Sequence, residues 1–144
     1  MRVLSIVQGF LVATATAATL TEPSEGITIT DFKFQMTSSA HGSNINYVEF
    51  YLTGDDAKNI KCMSTVNKLN KTIPTGGLCS KSHYDFVLWP SYEGNRYLLE
   101  VFHKKAGSVL TGNTRPLTHC AAESSTDFLC LQGAPIVFSL RKPL

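Results

Sequence analysis

Apolar residues in this chain recur at every second position, and that period decides what it can fold into. Ile27 and Ile29 alternate with Thr28 and Thr30. Phe32, Phe34 and Met36 resume the pattern after a one-residue shift at Asp31, which reads as a bulge. Val48, Phe50 and Leu52 take one face, and Tyr47, Glu49 and Tyr51 the other. Tyr84, Phe86 and Leu88 alternate up to Trp89-Pro90, where proline should end the strand. Tyr97, Leu99 and Val101 alternate with Leu98, Glu100 and Phe102, and Ile136, Phe138 and Leu140 close the chain. A period of two is the signature of strands with one buried face. Glycine with a turn-forming polar residue separates the runs at His41–Asn44, Thr53–Asp56, Glu93–Asn95 and Thr111–Asn113, and Tyr92–Arg96 reads as a hairpin turn. Residues 63–69 and 119–125 are the only short helical candidates, and no window holds a 3.6 period with caps at both ends. The pattern predicts an all-β fold, a compact antiparallel barrel or sandwich.

The first 18 residues read differently. Met1-Arg2 is followed by an apolar run to Val12 and then by small residues through Ala18. Charge, short apolar core and an A-x-A-type site are the order of a secretory signal peptide. The apolar core is too short for a bilayer span, which needs roughly 20 residues. We therefore expect residues 1–18 to be a signal and residues 19–144 to form one β-barrel domain outside the cell, with a loose arm over residues 18–26.

Export changes how the cysteines are read. Cys62, Cys79, Cys120 and Cys130 are an even set in a small chain of extracellular type, which predicts two disulfides. Four cysteines allow three connectivities, of which the sequential one closes the shortest loops. Zinc is disfavoured, because neither a C-x-x-C nor an H-x-x-x-H spacing occurs.

Chemistry is sparse. His41, His83, His103 and His119 stand in no metal or catalytic spacing and read as solvated or strand-edge residues. There is no G-x-S-x-G elbow and no phosphate-binding glycine loop. Asp55-Asp56 reads as a solvated turn. The formal charge of +2, with Arg2 in the signal, is too small for a nucleic-acid partner. Lys58, Lys61, Lys68 and Lys71 read as a solvated loop. No cofactor, metal or catalytic residue is expected. Asn70-Lys71-Thr72 is an N-glycosylation acceptor between Cys62 and Cys79. Tyr47, Tyr51, Trp89 and Tyr92 are candidates for a recognition surface, since aromatic residues are favoured at interfaces.

Ile29-Thr30-Asp31-Phe32, the Cys62–Cys79 loop, His119-Cys120, Thr126-Asp127-Phe128-Leu129-Cys130, Gln132-Gly133 and the run Ile136–Leu140 together carry a resemblance. Over about residues 27–140 the chain resembles the Alternaria major-allergen (Alt a one) family of secreted fungal β-barrels. The segment Cys120–Gly133 is the most specific part. The resemblance implies sequential bridges, Cys62–Cys79 and Cys120–Cys130, and no known enzymatic site. Some members carry an earlier cysteine that links two subunits. This chain has none before Cys62, so a monomer or a weak non-covalent dimer is expected.

The resemblance also implies an elicitor or effector sensed by plant cells through surface binding. Extracellular or membrane proteins of the plant would be its partners. A carrier of a small phenolic or flavonoid-type ligand and an inhibitor of a secreted host enzyme are the alternatives. Loops carry such contacts, which makes Lys68, Lys71, Gly77, Tyr92 and Arg96 the candidate recognition residues.

Overall fold

The computed structural model describes residues 22–40, 42–65, 75–89 and 97–144. The signal-like segment lies outside them. The described strands are β1 (Ser24–Ser39), β2 (Gly42–Gly54), β3 (Ala57–Thr65), β4 (Thr75–Cys79), β5 (Tyr84–Trp89), β6 (Leu98–Lys105), β7 (Ser108–Thr114), β8 (Thr118–Ala122), β9 (Asp127–Gln132) and β10 (Ile136–Arg141). Neighbours run in the order β10-β7-β6-β5-β4-β3-β2-β1, and β10 pairs back onto β1, so eight strands close a ring. Strands β9 and β8 extend from the other half of β1. Every pairing is antiparallel.

The alternating runs form the inner wall. Ile27, Ile29, Phe32, Phe34, Val48, Phe50, Leu52, Phe86, Leu88, Leu99 and Val101 are all buried. A line of rings fills the interior. Tyr97 meets Phe34 edge-on at 4.7 Å, Phe32 lies between Phe34 and Phe50, and Phe50 meets Phe86 edge-on at 4.8 Å. Tilted and edge-to-face pairs add about 0.5–1.5 kcal/mol each to what burial already contributes.

Asp31 is a bulge, as the phase shift predicts. It adopts φ 52°, and the register with β2 passes from Thr30↔Tyr51 to Lys33↔Glu49, one residue gained on β1. The bulge moves the inward set from odd to even positions. It is also where β1 changes partner: Ser24–Ile29 pair with β10, and Lys33–Thr37 with β9. Gln132 stands in the fork. Its Oε1 accepts from the Phe32 amide at 2.7 Å, and its Nε2 donates to the Ile29 carbonyl at 3.1 Å and to the Ala134 carbonyl.

Five segments differ from the sequence expectations, each for a visible reason. Lys58 and Lys61 lie in β3, not in a loop, because Ile60 and Cys62 of the same strand pack into the core. The described part of 63–69 also belongs to β3. The candidate helix 119–125 starts as β8, a strand exposed along most of its length that gives no alternation to read. Thr75-Gly76-Gly77 opens β4, and Thr111-Gly112-Asn113 lies within β7. The glycines there mark close approach, not turns. A Cβ at Gly77 would stand 2.5 Å from the Phe86 ring, and one at Gly112 would stand 2.4 Å from the Ser139 carbonyl of β10.

Cys62 sits directly opposite Cys79 across β3–β4, and Cys120 opposite Cys130 across β8–β9; both pairs are disulfides and no described cysteine is free. The Asn70 acceptor lies outside the described residues.

Replacing Gln132 by Ala leaves the Phe32 amide and the Ile29 carbonyl without their side-chain partner. The expected cost is about 1–3 kcal/mol, seen as a lower urea midpoint at unchanged slope. An unchanged midpoint would show that the fork does not depend on this amide.

Candidate functional site

The first turn of β1 carries a charge into the barrel. Glu25 continues the inward series of Ile27 and Ile29 and is 2 % exposed. His103 continues the inward series Leu99, Val101 on β6 and is 0 % exposed, and Tyr84 lies opposite it on β5. The Tyr84 and His103 rings stack with centroids 3.9 Å apart. Glu25 Oε1 accepts from the Tyr84 hydroxyl and from the Asp55 amide at 2.9 Å. Its Oε2 lies 2.5 Å from His103 Nδ1 and 3.7 Å from Lys105 Nζ. The Asp56 amide donates to the Tyr84 oxygen at 3.2 Å. His103 Nε2 is 3.0 Å from Asp56 Oδ2, yet lacks hydrogen-bond alignment with it.

The electrostatics follow from this geometry. Burial pushes the Glu25 carboxyl upward, but the hydrogen bonds from Tyr84, His103 and the Asp55 amide, with the His103 charge, outweigh it and hold Glu25 below its ordinary value. Burial and the bond to Glu25 push the Tyr84 phenol well up. For Lys105 desolvation is outweighed by the Asp55 bond and by the charges of Glu25, Asp55 and Asp56, and its ammonium is held upward.

Two sequence expectations are corrected here. His103 is neither solvated nor at a strand edge, and the described end of the expected arm, Ser24–Gly26, is part of β1, where Glu25 ties it across the barrel to β5 and β6. Residues 18–21 lie outside the described residues. A histidine on the inward phase of an alternating run was the signal that could have revealed the first. The Asp55-Asp56 side chains are exposed as expected, while their amides cap the cluster. Glu25, Tyr84 and His103, at 2 % exposure or less, are sealed from solvent, and only Asp55, Asp56 and Lys105 at the rim reach it. The cluster acts as an internal clasp.

The surfaces that can meet a ligand lie elsewhere. A cleft of about 370 Å³ opens over the fork between Asp31, Lys33, Glu49, Tyr51, Leu131 and Gln132. In it Glu49 is held by Lys33 at 3.2 Å and Lys61 at 3.0 Å, and also accepts from the Tyr47 hydroxyl. Desolvation raises the Glu49 carboxyl, and the two lysines more than reverse that, so its pKa lies below the ordinary value. Tyr47 and Tyr51 are on this outer face, as the alternation predicts. A more apolar groove of about 550 Å³ lies between the β7–β8 link and the start of β10, lined by Arg115, Leu117, His119, Pro135 and Val137. His83 is exposed in the bend before β5, and His119 is exposed on β8.

Of the candidate recognition residues, Lys68, Lys71, Tyr92 and Arg96 lie outside the described residues, as does His41. Gly77 is inside β4, against Phe86, and is not a loop position.

This architecture has relatives. Residues 29–130 match the family described as Alternaria alternata allergen 1. The chain belongs to that family. It is 32 % identical over 112 residues to "Effector protein PevD1" of Verticillium dahliae, a match spanning 77 % of this chain and 68 % of that protein. A crystal structure of the Alternaria alternata major allergen Alt a 1 superposes with a TM-score of 0.62 at 17 % identity, covering 85 % of this chain and 98 % of that one. A second structure of Alt a 1 gives 0.58 at 17 % identity over 90 % and 96 %. At that identity the two structures show a shared fold and nothing more.

The clasp predicts an acid limb. A carboxyl whose folded pKa is lowered adds stability that is complete above its unfolded value, about 4.3, and is lost as pH falls through the folded value. The melting temperature should therefore hold above about pH 5 and drop below it. Glu25→Gln should flatten that drop, leaving the part due to Glu49 and to Asp127, whose carboxyl the Thr37 and Ser124 hydroxyls hold below its ordinary value. At neutral pH Glu25→Ala should cost about 3–5 kcal/mol, since it strands His103 in the core. A profile identical to the parent's would remove Glu25 from the stability of the barrel.

Proposed function

We propose that this chain is a secreted fungal effector or elicitor that plant cells recognise through its surface. The observation that carries the reading is the 32 % identity to an effector protein over 77 % of the chain. The signal-like start and the two bridges support an extracellular site of action. The buried state of the Glu25–Tyr84–His103 cluster supports binding over catalysis, because the chain's most distinctive ionisable groups are sealed from any substrate. A carrier role gains no support from the interior, where aromatic side chains fill the space that an enclosed ligand would need.

Recognition is assigned to exposed, folding-neutral positions. Lys68, Lys71, Tyr92 and Arg96 remain candidates on sequence grounds. Lys33 and Tyr51, partly exposed at the cleft over the fork, are added as further candidates, and a circular-dichroism control covers the loss of the Lys33–Glu49 ion pair. Gly77 leaves the set of useful test positions, since any side chain there would displace Phe86.

Infiltration of the purified protein into leaves of several hosts should elicit necrosis, an oxidative burst or defence-gene induction. No response in any host would overturn the proposal. Single replacements of His83 and His119 by Ala should keep full activity. A Lys33→Ala/Tyr51→Ala variant with native circular dichroism should lose part of it. Activity that dies with either exposed histidine while the fold stays native would point to catalysis instead.

A further inference from the structure

The ring closes between β7 and β10 through one bridged pair, Arg141↔Thr111. Carried on in that register, the ladder would set Arg115 against Val137, but it stops short of them. Pro116 has no amide to donate, so the chain after β7 cannot extend the pairing. The apolar groove of about 550 Å³ lies at this open end of the seam, between the β7–β8 link and the start of β10.

Three properties of the groove point to one kind of ligand. Its walls are apolar. Leu117 on the link and Val137 on β10 stand 79 % and 73 % exposed, with Pro135 and Ile136 beside them. Large apolar side chains gathered in water on facing elements gain by being covered. Its charge has one sign. Arg115 and His119 line it, and no carboxylate does. Arg115 forms no ion pair among the described residues. Its backbone offers a donor. The Ile29 carbonyl faces the fork, where Gln132 meets it, so Ile29 and its partner Ile136 bond toward each other. The odd residues of β10 therefore point toward β7, and the Ser139 carbonyl does lie against Gly112. The Val137 amide shares that phase and faces the groove where β7 has ended.

A neutral apolar ligand would cover Arg115 and leave its guanidinium unanswered. A cation would be repelled, and a small inorganic anion would leave the apolar walls wet. A carboxylate matches the guanidinium fork in two parallel bonds. We propose that the groove binds an aliphatic monocarboxylate. Its head sits on Arg115 and the Val137 amide, and its tail runs along Leu117 and Pro135 toward His119. The site lies outside the filled barrel interior and does not depend on the elicitor reading.

Calorimetric titration of the oxidised protein with dodecanoate, kept below micelle-forming concentration, tests this. One saturable site of micromolar affinity is expected. Octanoate should bind roughly tenfold or more weakly, since it leaves part of the groove uncovered. Dodecanol should bind about tenfold more weakly than dodecanoate, and dodecylammonium not at all. Arg115→Gln should weaken dodecanoate about tenfold and leave dodecanol unchanged, whereas Leu117→Ser should weaken both. With its carboxyl carbon labelled, dodecanoate should show a resonance shift on binding the parent that Arg115→Gln abolishes. Circular dichroism and melting temperature confirm that each variant is folded. No saturable binding of dodecanoate overturns the proposal. So does equal affinity for dodecanol, or binding indifferent to both replacements. Adsorption to anionic phospholipid vesicles without binding of dissolved dodecanoate would make this a membrane contact and overturns it too.

Discussion

The barrel depends on the change of partner along β1. One strand of 16 residues belongs to the ring through its first half and to the β9–β8 extension through its second. A strand cannot leave one neighbour and take another without breaking its ladder, and a broken ladder inside a core strands backbone amides and carbonyls. Asp31 absorbs the extra residue, and Gln132, from the strand that takes over, supplies both a donor and an acceptor to the gap. An amide is the side chain suited to this, because it carries both functions on one planar group. The closure of the ring on one side and the extension on the other follow from that junction.

The clasp around Glu25 solves a second problem of the same strand. β1 begins at Ser24, and the first residues of a strand fray unless tied down. A buried ionised carboxylate is a costly tie, and it holds only if every lone pair is answered. Here the answers come from β5, β6 and the β2–β3 turn, so one side chain fastens the beginning of β1 to three separate elements. Such a group confers a particular arrangement more than it confers stability, since well-packed apolar residues of similar volume would often hold as well.

Sequence and structure agree where one face of a strand is apolar and the other polar. The runs Ile27–Met36, Val48–Leu52, Tyr84–Leu88 and Tyr97–Val101 announce themselves, and so does the Asp31 bulge, because a phase shift survives in the sequence. Strands without that contrast stay hidden. β8 is wet along most of its length, and in β4 and β7 a glycine takes the inward position where another strand passes too close for a side chain. Glycine has two meanings, turn and close approach, and sequence alone favours the commoner one. The clasp was half legible: Glu25 and His103 both lie on the inward phase of their runs, but that two inward polar groups 78 positions apart meet is a fact of topology. The resemblance to the allergen family rested on cysteine spacing and on the Cys120–Gly133 segment, which the fold turns into the β8–β9 hairpin and its fork glutamine. The outer cleft was beyond reach, because Lys33, Glu49 and Lys61 come from three strands whose register had first to be set.

Both bridges join neighbouring strands and not distant ones, and this shapes how the protein meets digestion. Each bridge encloses the stretch between its own two cysteines, so a cut in residues 63–78 or 121–129 yields no released fragment. The nicked chain stays a single covalent molecule with its strands still paired. A protein built this way can take one cut in each of those stretches and remain a single covalent molecule. Intactness by mass under reducing conditions and intactness of shape then become separate properties.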